Sequence, residues 1–182
     1  MLKISFIIFL ISYSIFSVEL KVGQVCNYRF YADGAYPGSL KMELIKIEKK
    51  SYTIMLTQKM GAIQESREIE IKKDIPIEDF IDEMLKITFL YNKKKIKILK
   101  KVIKDNYVYK YEENKYEGSR VEVDILLDKK KYTLTYTFSD VIPIMNLLRF
   151  SIIQDVKSKK NYKLENIILI KDYGEKGNLK KL

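Results

Sequence analysis

The chain has 182 residues, enough for one domain with a sizeable core, and its 47% hydrophobic and 32% charged residues exclude a disordered polymer. It has no histidine and a single cysteine, Cys26, which excludes Ser-His and Cys-His nucleophiles, histidine zinc sites and any intramolecular disulfide. The formal charge of +10 is uneven: from Val18 to Tyr91 there are 11 basic and 12 acidic side chains, and from Asn92 onward 22 and 12.

The amino terminus has the order of an export signal. Met1-Leu2-Lys3 gives a short positive start, and Ile4 to Phe16 is an uncharged apolar run too short to span a bilayer comfortably. Ser17 follows, and Glu19 and Lys21 mark a return to soluble composition. The order predicts a signal peptide over 1–17 cleaved near Ser17, a single β-rich domain over 18–175 and a flexible tail over 176–182. The mature protein is expected to be exported, periplasmic or extracellular, with no transmembrane span.

Gln24 to Tyr31 predicts a first strand with Cys26, Tyr28 and Phe30 on one face. That parity makes Cys26 a packed apolar side chain rather than a lipid-attachment site. Asp33-Gly34 and Pro37-Gly38 predict the turn region that follows. Leu40, Met42 and Leu44 alternate before Ile45 and Ile47 resume on the other parity, which predicts a β-bulge near Leu44-Ile45. Turns at Glu48–Ser51 and Met60-Gly61 then set two further strands of an antiparallel meander, Tyr52 to Leu56 and Ile63 to Lys72.

The period changes after Pro76. Ile77, Phe80, Ile81, Met84 and Leu85 form a helical stripe opposite Glu78, Asp79, Asp82 and Glu83, so a short helix is expected over one face of the sheet. Those carboxylates read as its solvated side. Ile87 to Tyr91 predicts a strand. Asn92 to Lys104 fits both a strand and a basic amphipathic helix; the best division is a strand through Ile98 and a short helix through Lys104.

Tyr107, Tyr109 and Tyr111 alternate as a separate strand. The clearest hairpin follows: Val121, Val123, Ile125 and Leu127 on one arm, and Tyr132, Leu134, Tyr136 and Phe138 on the other, around a turn at Asp128 to Lys131. Thr133, Thr135 and Thr137 take the opposite face, and the hairpin is expected near the centre of the sheet. Ser139-Asp140 and Pro143 predict a corner, then Leu148, Phe150 and Ile152 a strand, and Tyr162 to Tyr173 a long last strand ended by Gly174. The fold class is mainly β (α+β): a curled antiparallel sheet, or open half-barrel, with one or two short helices.

The pairs Val22-Gly23 and Tyr28, the run Tyr116-Glu117-Gly118, the Ser139-Asp140-Val141-Ile142-Pro143-Ile144 corner and Asp172-Tyr173-Gly174 occur in an order that resembles a diffuse set of small exported bacterial proteins. The resemblance implies an open barrel with a helix over its concave side, a shape similar to the periplasmic lipoprotein carriers. It carries no functional residue across, and where related chains often have a glycine after the Pro-Ile pair, this one has Asn146.

Two functions follow as expectations. One is a non-catalytic envelope protein holding an apolar or amphipathic ligand, such as a lipid, within the curled sheet, with Tyr109, Tyr132, Tyr136 and Phe138 facing it. The other is a structural or interaction protein contacting an anionic envelope surface through Lys97, Lys100, Lys101 and Lys104. Nucleic acid is disfavoured, because only Arg29, Arg67, Arg120 and Arg149 supply the planar fork that phosphate readers favour. No catalytic residue, metal ligand or cofactor is expected. The one carboxylate pair on a strand face, Glu122 and Asp124, reads as its wet side.

Overall fold

A computed structural model describes residues 19–32, 35–73, 75–76, 79–82, 84–85, 96–111, 113–155 and 163–181. The expected signal segment and the expected strand at 87–91 lie outside them. Ten strands follow one another: β1 (Gln24–Ala32), β2 (Ala35–Ile47), β3 (Ser51–Met60), β4 (Ile63–Lys72), β5 (Lys97–Tyr111), β6 (Asn114–Leu127), β7 (Lys130–Ser139), β8 (Leu147–Asp155), β9 (Lys163–Glu175) and β10 (Asn178–Lys181).

All the pairings are antiparallel, and the sheet order is β4-β3-β2-β1-β9-β8-β7-β6-β5, with β10 beside β9. Two four-stranded meanders, β1–β4 and β5–β8, are therefore joined through β9. The sheet stays open, not closed into a barrel. Its two edges, β4 and β5, follow one another among the described strands, and the described residues 79–82 and 84–85 between them cross the inner face.

That crossing holds the expected helix. Residues 79–82 and 84–85 are helical, and Phe80 N–H donates to the Pro76 carbonyl at 2.9 Å. Phe80, Ile81, Met84 and Leu85 are all buried in the core, and the Phe80 ring meets Phe138 of β7 edge to face, 5.7 Å between centroids. Asp82 on the exposed side reaches Lys101 Nζ at 3.2 Å, tying the helical turn to the β5 edge. Ile77, Glu78 and Glu83 lie outside the described residues.

A second cover comes from the β7–β8 corner. Ser139 N–H donates to the Asn146 carbonyl at 2.8 Å, and Ile142, Ile144 and Met145 are fully buried. Met145 and Asn146 both take left-handed backbone, φ 59° and 51°. Asparagine tolerates that region better than most L residues, so this corner turns without a glycine. The corner lies across β1: the Tyr28 hydroxyl donates to the Leu147 carbonyl at 2.9 Å. One hydrophobic cluster joins Ile54 and Ile71 at one end of the sheet to Val123 and Ile125 at the other, with the corner and the helical turn among its members. The sheet curls around this core.

The β6–β7 hairpin matches its alternation. Val121, Val123, Ile125, Leu134 and Tyr136 are fully buried on one face. Its turn is tighter than expected. Leu127 pairs with Lys130, and Asp128 and Lys129 both have positive φ (49° and 64°), the two-residue turn whose twist suits a hairpin. The hairpin is not central. β9 holds the middle, between the first strand and β8, because the chain closes by pairing its last long strand with its first.

The bulge near Leu44-Ile45 is present: Leu44 pairs with Ile54 and Lys46 with Thr53, leaving Ile45 extra. Three other expectations need correction. Pro37-Gly38 is no turn but lies inside β2. Register explains the tolerance, since β3 ends opposite Gly38 and no β3 carbonyl awaits a Pro37 N–H. The expected helix through Lys104 is also absent. Residues 97–111 form one strand against β6, with bulges between Ile98 and Lys100 and between Lys104 and Tyr107. Each bulge shifts the phase by one residue, so Ile98, Leu99, Val102 and Ile103 imitate helical spacing while hydrogen-bonded as a strand. Lastly, the expected frayed tail pairs: Gly174 and Gly177 have positive φ, and Asn178–Lys181 returns along β9. Among the described residues, no helix is long and apolar enough to cross a membrane.

Candidate functional site

The four aromatic residues expected to face a ligand all belong to or pack against one hydrophobic cluster. Tyr136 is fully buried and Phe138 5% exposed, and both belong to the packed core. Tyr136 stacks on Phe150 of the neighbouring strand at 4.6 Å and lies 6.1 Å from Phe138 on its own strand. Tyr132, on the same face nearer the turn, is half-buried against that cluster. Tyr109 packs against the cluster from β5. The bulge at Asp105-Asn106, where Asn106 has φ 54°, puts Tyr109 opposite Tyr116 and in register with the Arg120 side of the sheet. There it hydrogen-bonds Arg149.

The four lysines also divide between two faces. Lys97, Lys100 and Lys104 pair with Leu126, Asp124 and Arg120, which alternate with the buried Val121, Val123 and Ile125 and so project outward. Lys101 pairs with Val123 on the inner side and is engaged by Asp82. The outward lysines stand on an edge strand, and charge there also discourages edge-to-edge association.

Around Lys104 the side chains form a connected group. Arg120 Nη2 meets Glu122 Oε1 at 2.8 Å, and Lys104 Nζ lies 4.0 Å from the same carboxylate. Arg120 Nη1 donates to the Tyr107 hydroxyl at 3.2 Å, with its guanidinium carbon 5.4 Å from the centre of that ring. Asp124 accepts from Thr133 at 2.7 Å and pairs with Lys131 at 3.0 Å. Those bonds, Thr133 first, hold its carboxyl below the usual range. Glu122 and Asp124 thus stand on one strand face, each paired with a cation.

No known protein family, curated protein or solved structure matches this chain.

The arrangement sets Lys97, Lys100, Lys104 and Arg120 on one side of β5 and β6. No cluster of three metal-ligating side chains occurs among the described residues. Sequence reasoning found the lysines of β5 but missed Arg120, Tyr107 and Arg149. The scarcity of arginine was the available signal: four in a chain this basic are few enough to examine one by one.

Cys26 lies in the core on the opposite face. It is fully buried, and burial pushes its thiol up to about 12 from an ordinary 9.0. Tyr28 and Tyr52, both buried beside it, are shifted upward for the same reason. A neutral buried thiol is a packing group and a poor nucleophile. The linkage has a definite sign. Folding keeps protons on these groups that the unfolded chain would lose, so their contribution is complete below pH 9 and disappears as pH rises toward about 12. Urea titrations should show the midpoint falling between pH 9 and 11, and a thiol reagent at pH 8 should label Cys26 only after unfolding. Rapid labelling of the native chain, or a flat midpoint, would contradict this account.

Proposed function

We propose that the protein is a non-catalytic, exported component of the cell envelope that holds an anionic partner against the outer face of its sheet. The observation that carries this reading is the outward group Lys97, Lys100, Lys104 and Arg120 on β5 and β6. These cations stand on the face away from the core, and Glu122 and Tyr107 orient Arg120 among them. The export signal over 1–17 would deliver the chain to a compartment whose walls and membranes are rich in anionic polymers and headgroups.

Exposed charges act through screened Coulomb forces, with a reach of about 8 Å at physiological ionic strength. Retention of the mature chain on a carboxylate- or phosphate-bearing resin is therefore expected to fall at least about tenfold between 50 and 200 mM salt. Neutral dextran should not retain it. Salt-independent retention, or none on any anionic resin, would end this reading.

The alternative, an apolar ligand inside the curled sheet, rests on the same aromatic face. It requires the helical turn to lift Phe80 from Phe138. Native mass spectrometry of the mature protein from its own envelope tests it, because a ligand held there would appear as a reproducible non-covalent adduct.

A further inference from the structure

Cross-strand register brings cations from both halves of the chain into one line. Lys104 on β5 faces Arg120 on β6, Arg120 faces Thr137 on β7, and Thr137 faces Arg149 on β8. Arg149 faces Leu169 on β9, Leu169 faces Arg29 on β1, and Arg29 faces Ser39 on β2. Ser39 faces Lys59 on β3, and Lys59 faces Gln64 on β4. Every strand but β10 contributes one residue. The residues beside them in sequence, Tyr28, Val121, Tyr136, Phe150 and Ile170, are buried, so the line keeps to the other face, where Thr137, at 3% exposure, is its one buried member.

Its composition is unlike that of the chain. Lys104, Arg120, Arg149, Arg29 and Lys59 are cations, and no carboxylate occupies a position in the line. Three of the four arginines are here, whereas Arg67 pairs with Leu56 in the core-facing register. Neighbouring strands lie about 4.8 Å apart, so Arg120, Arg149, Arg29 and Lys59, each two strands from the next, recur about every 10 Å. Two of them are held in place: Glu122 pairs with Arg120, offsetting one charge, and Tyr109 bonds Arg149. Cations already oriented lose less freedom on binding.

Building on the outer-face reading above, we infer that this line seats an acidic polysaccharide, running across the strands, with one carboxylate or sulfate on every second sugar. An extended sugar chain advances by about one strand spacing per residue, so an acid on alternate sugars keeps step with the arginines. Ser39 and Gln64, between and beyond the cations, offer hydrogen bonds that suit sugar hydroxyls. The aromatic rings nearest the line, Tyr107 and Tyr109, are already engaged by Arg120 and Arg149, which weighs against their stacking on the bases of a single-stranded nucleic acid. It also follows a curled surface, which a flexible chain can track and a flat bilayer touches only along part of its length.

The test is calorimetric binding of a hyaluronan oligosaccharide, which carries one carboxylate per disaccharide, to the mature chain at about 50 mM salt. The Arg29→Gln/Arg149→Gln variant should bind at least about tenfold more weakly, with the slope of log affinity against log salt reduced by about 2. Lys49→Gln/Lys180→Gln removes the same charge from exposed sites off the line and should bind within about twofold of the parent. Because Arg149 contacts Tyr109, Arg29→Gln/Lys59→Gln provides a second test confined to exposed residues of the first half. Circular dichroism should show each variant folded. Equal weakening on and off the line would overturn the ordered site while leaving diffuse attraction standing. Failure of the parent chain to bind any polyanion would overturn both readings. Tighter binding of oligo(dT) or of phosphatidylglycerol vesicles than of the oligosaccharide, with the same dependence on the line, would overturn the polysaccharide assignment.

Discussion

Replacing Tyr136 by alanine is expected to destabilise the protein by about 3–5 kcal/mol, the range for removing a buried aromatic ring from a packed core. In a chain of this size that corresponds to a melting temperature lower by roughly 10–15 °C. Tyr136 is fully buried between two neighbours on its face, stacked on Phe150 and beside Phe138, which is in turn capped by Phe80. Removing the central ring loosens both the β7–β8 contact and the seat of the helical turn. The same substitution at Tyr132, half-buried near the hairpin turn, should cost less than half as much. This comparison also separates two roles for the aromatic face. A ring forming the floor of an open cavity would already lack packing partners on one side, and its loss would cost little more than that of Tyr132. Near-equal effects at the two positions, read by thermal melts, would favour the cavity.

Much of the fold was legible because alternation and burial are local. Val121 to Leu127 and Tyr132 to Phe138 carry the period of two without interruption, and their inner face can be read residue by residue. Even the Ile45 bulge leaves its mark as a change of parity. The same logic failed at β5, where two bulges lie seven residues apart. The first leaves Leu99 extra and puts Ile98 and Ile103 on the inner face and Val102 on the outer one, so the apolar spacing looks helical, and a single-strand pattern cannot tell a bulged strand from a turn of helix. Pairing partners were also hidden. Nothing local to Gln24–Ala32 says that it lies beside Lys163–Glu175, so the hairpin looked central when β9 is.

The candidate site was harder to see for a related reason. A line of residues across a sheet has no sequence period at all, because its members, Arg29, Lys59, Lys104, Arg120 and Arg149, are set by register between strands far apart in the sequence, as where Arg29 meets Leu169. Counting charge by halves assigned the basic excess to the second half and drew attention away from Arg29 and Lys59 in the first. The lysines that were singled out project to different faces once β5 is a strand. Only the rarity of arginine pointed in the right direction.

Gly118→Ala should be as damaging as loss of a core ring, although the glycine touches no ligand and lies outside the apolar core. Gly118 faces Ser139 at the end of the β6–β7 ladder, and there the two backbones are unusually close. A methyl group built on Gly118 would press on the Phe138 carbonyl oxygen, 2.8 Å from the carbonyl carbon and 2.9 Å from the Ser139 Cα. All three atoms are backbone, so no side chain can swing aside and the β7 strand itself must move. β7 is poorly placed to do so. Ser139 is tied by its hydroxyl to the Glu117 carbonyl at 2.8 Å and by its amide to Asn146, while Phe138 supports Phe80. Overpacking of this kind costs about 1–3 kcal/mol, occasionally more, and rigid backbone on the receiving side puts this site at the upper end. The expected result is a melting temperature lower by roughly 10 °C, with faster amide exchange at the β6–β7 end and around the corner that Ser139 anchors. Gly61→Ala is the control. Gly61 sits in the β3–β4 turn at φ 58° with open space around it, so alanine there should cost about 1 kcal/mol from backbone strain alone. Equal losses at the two glycines would mean that close strand approach is not what Gly118 provides.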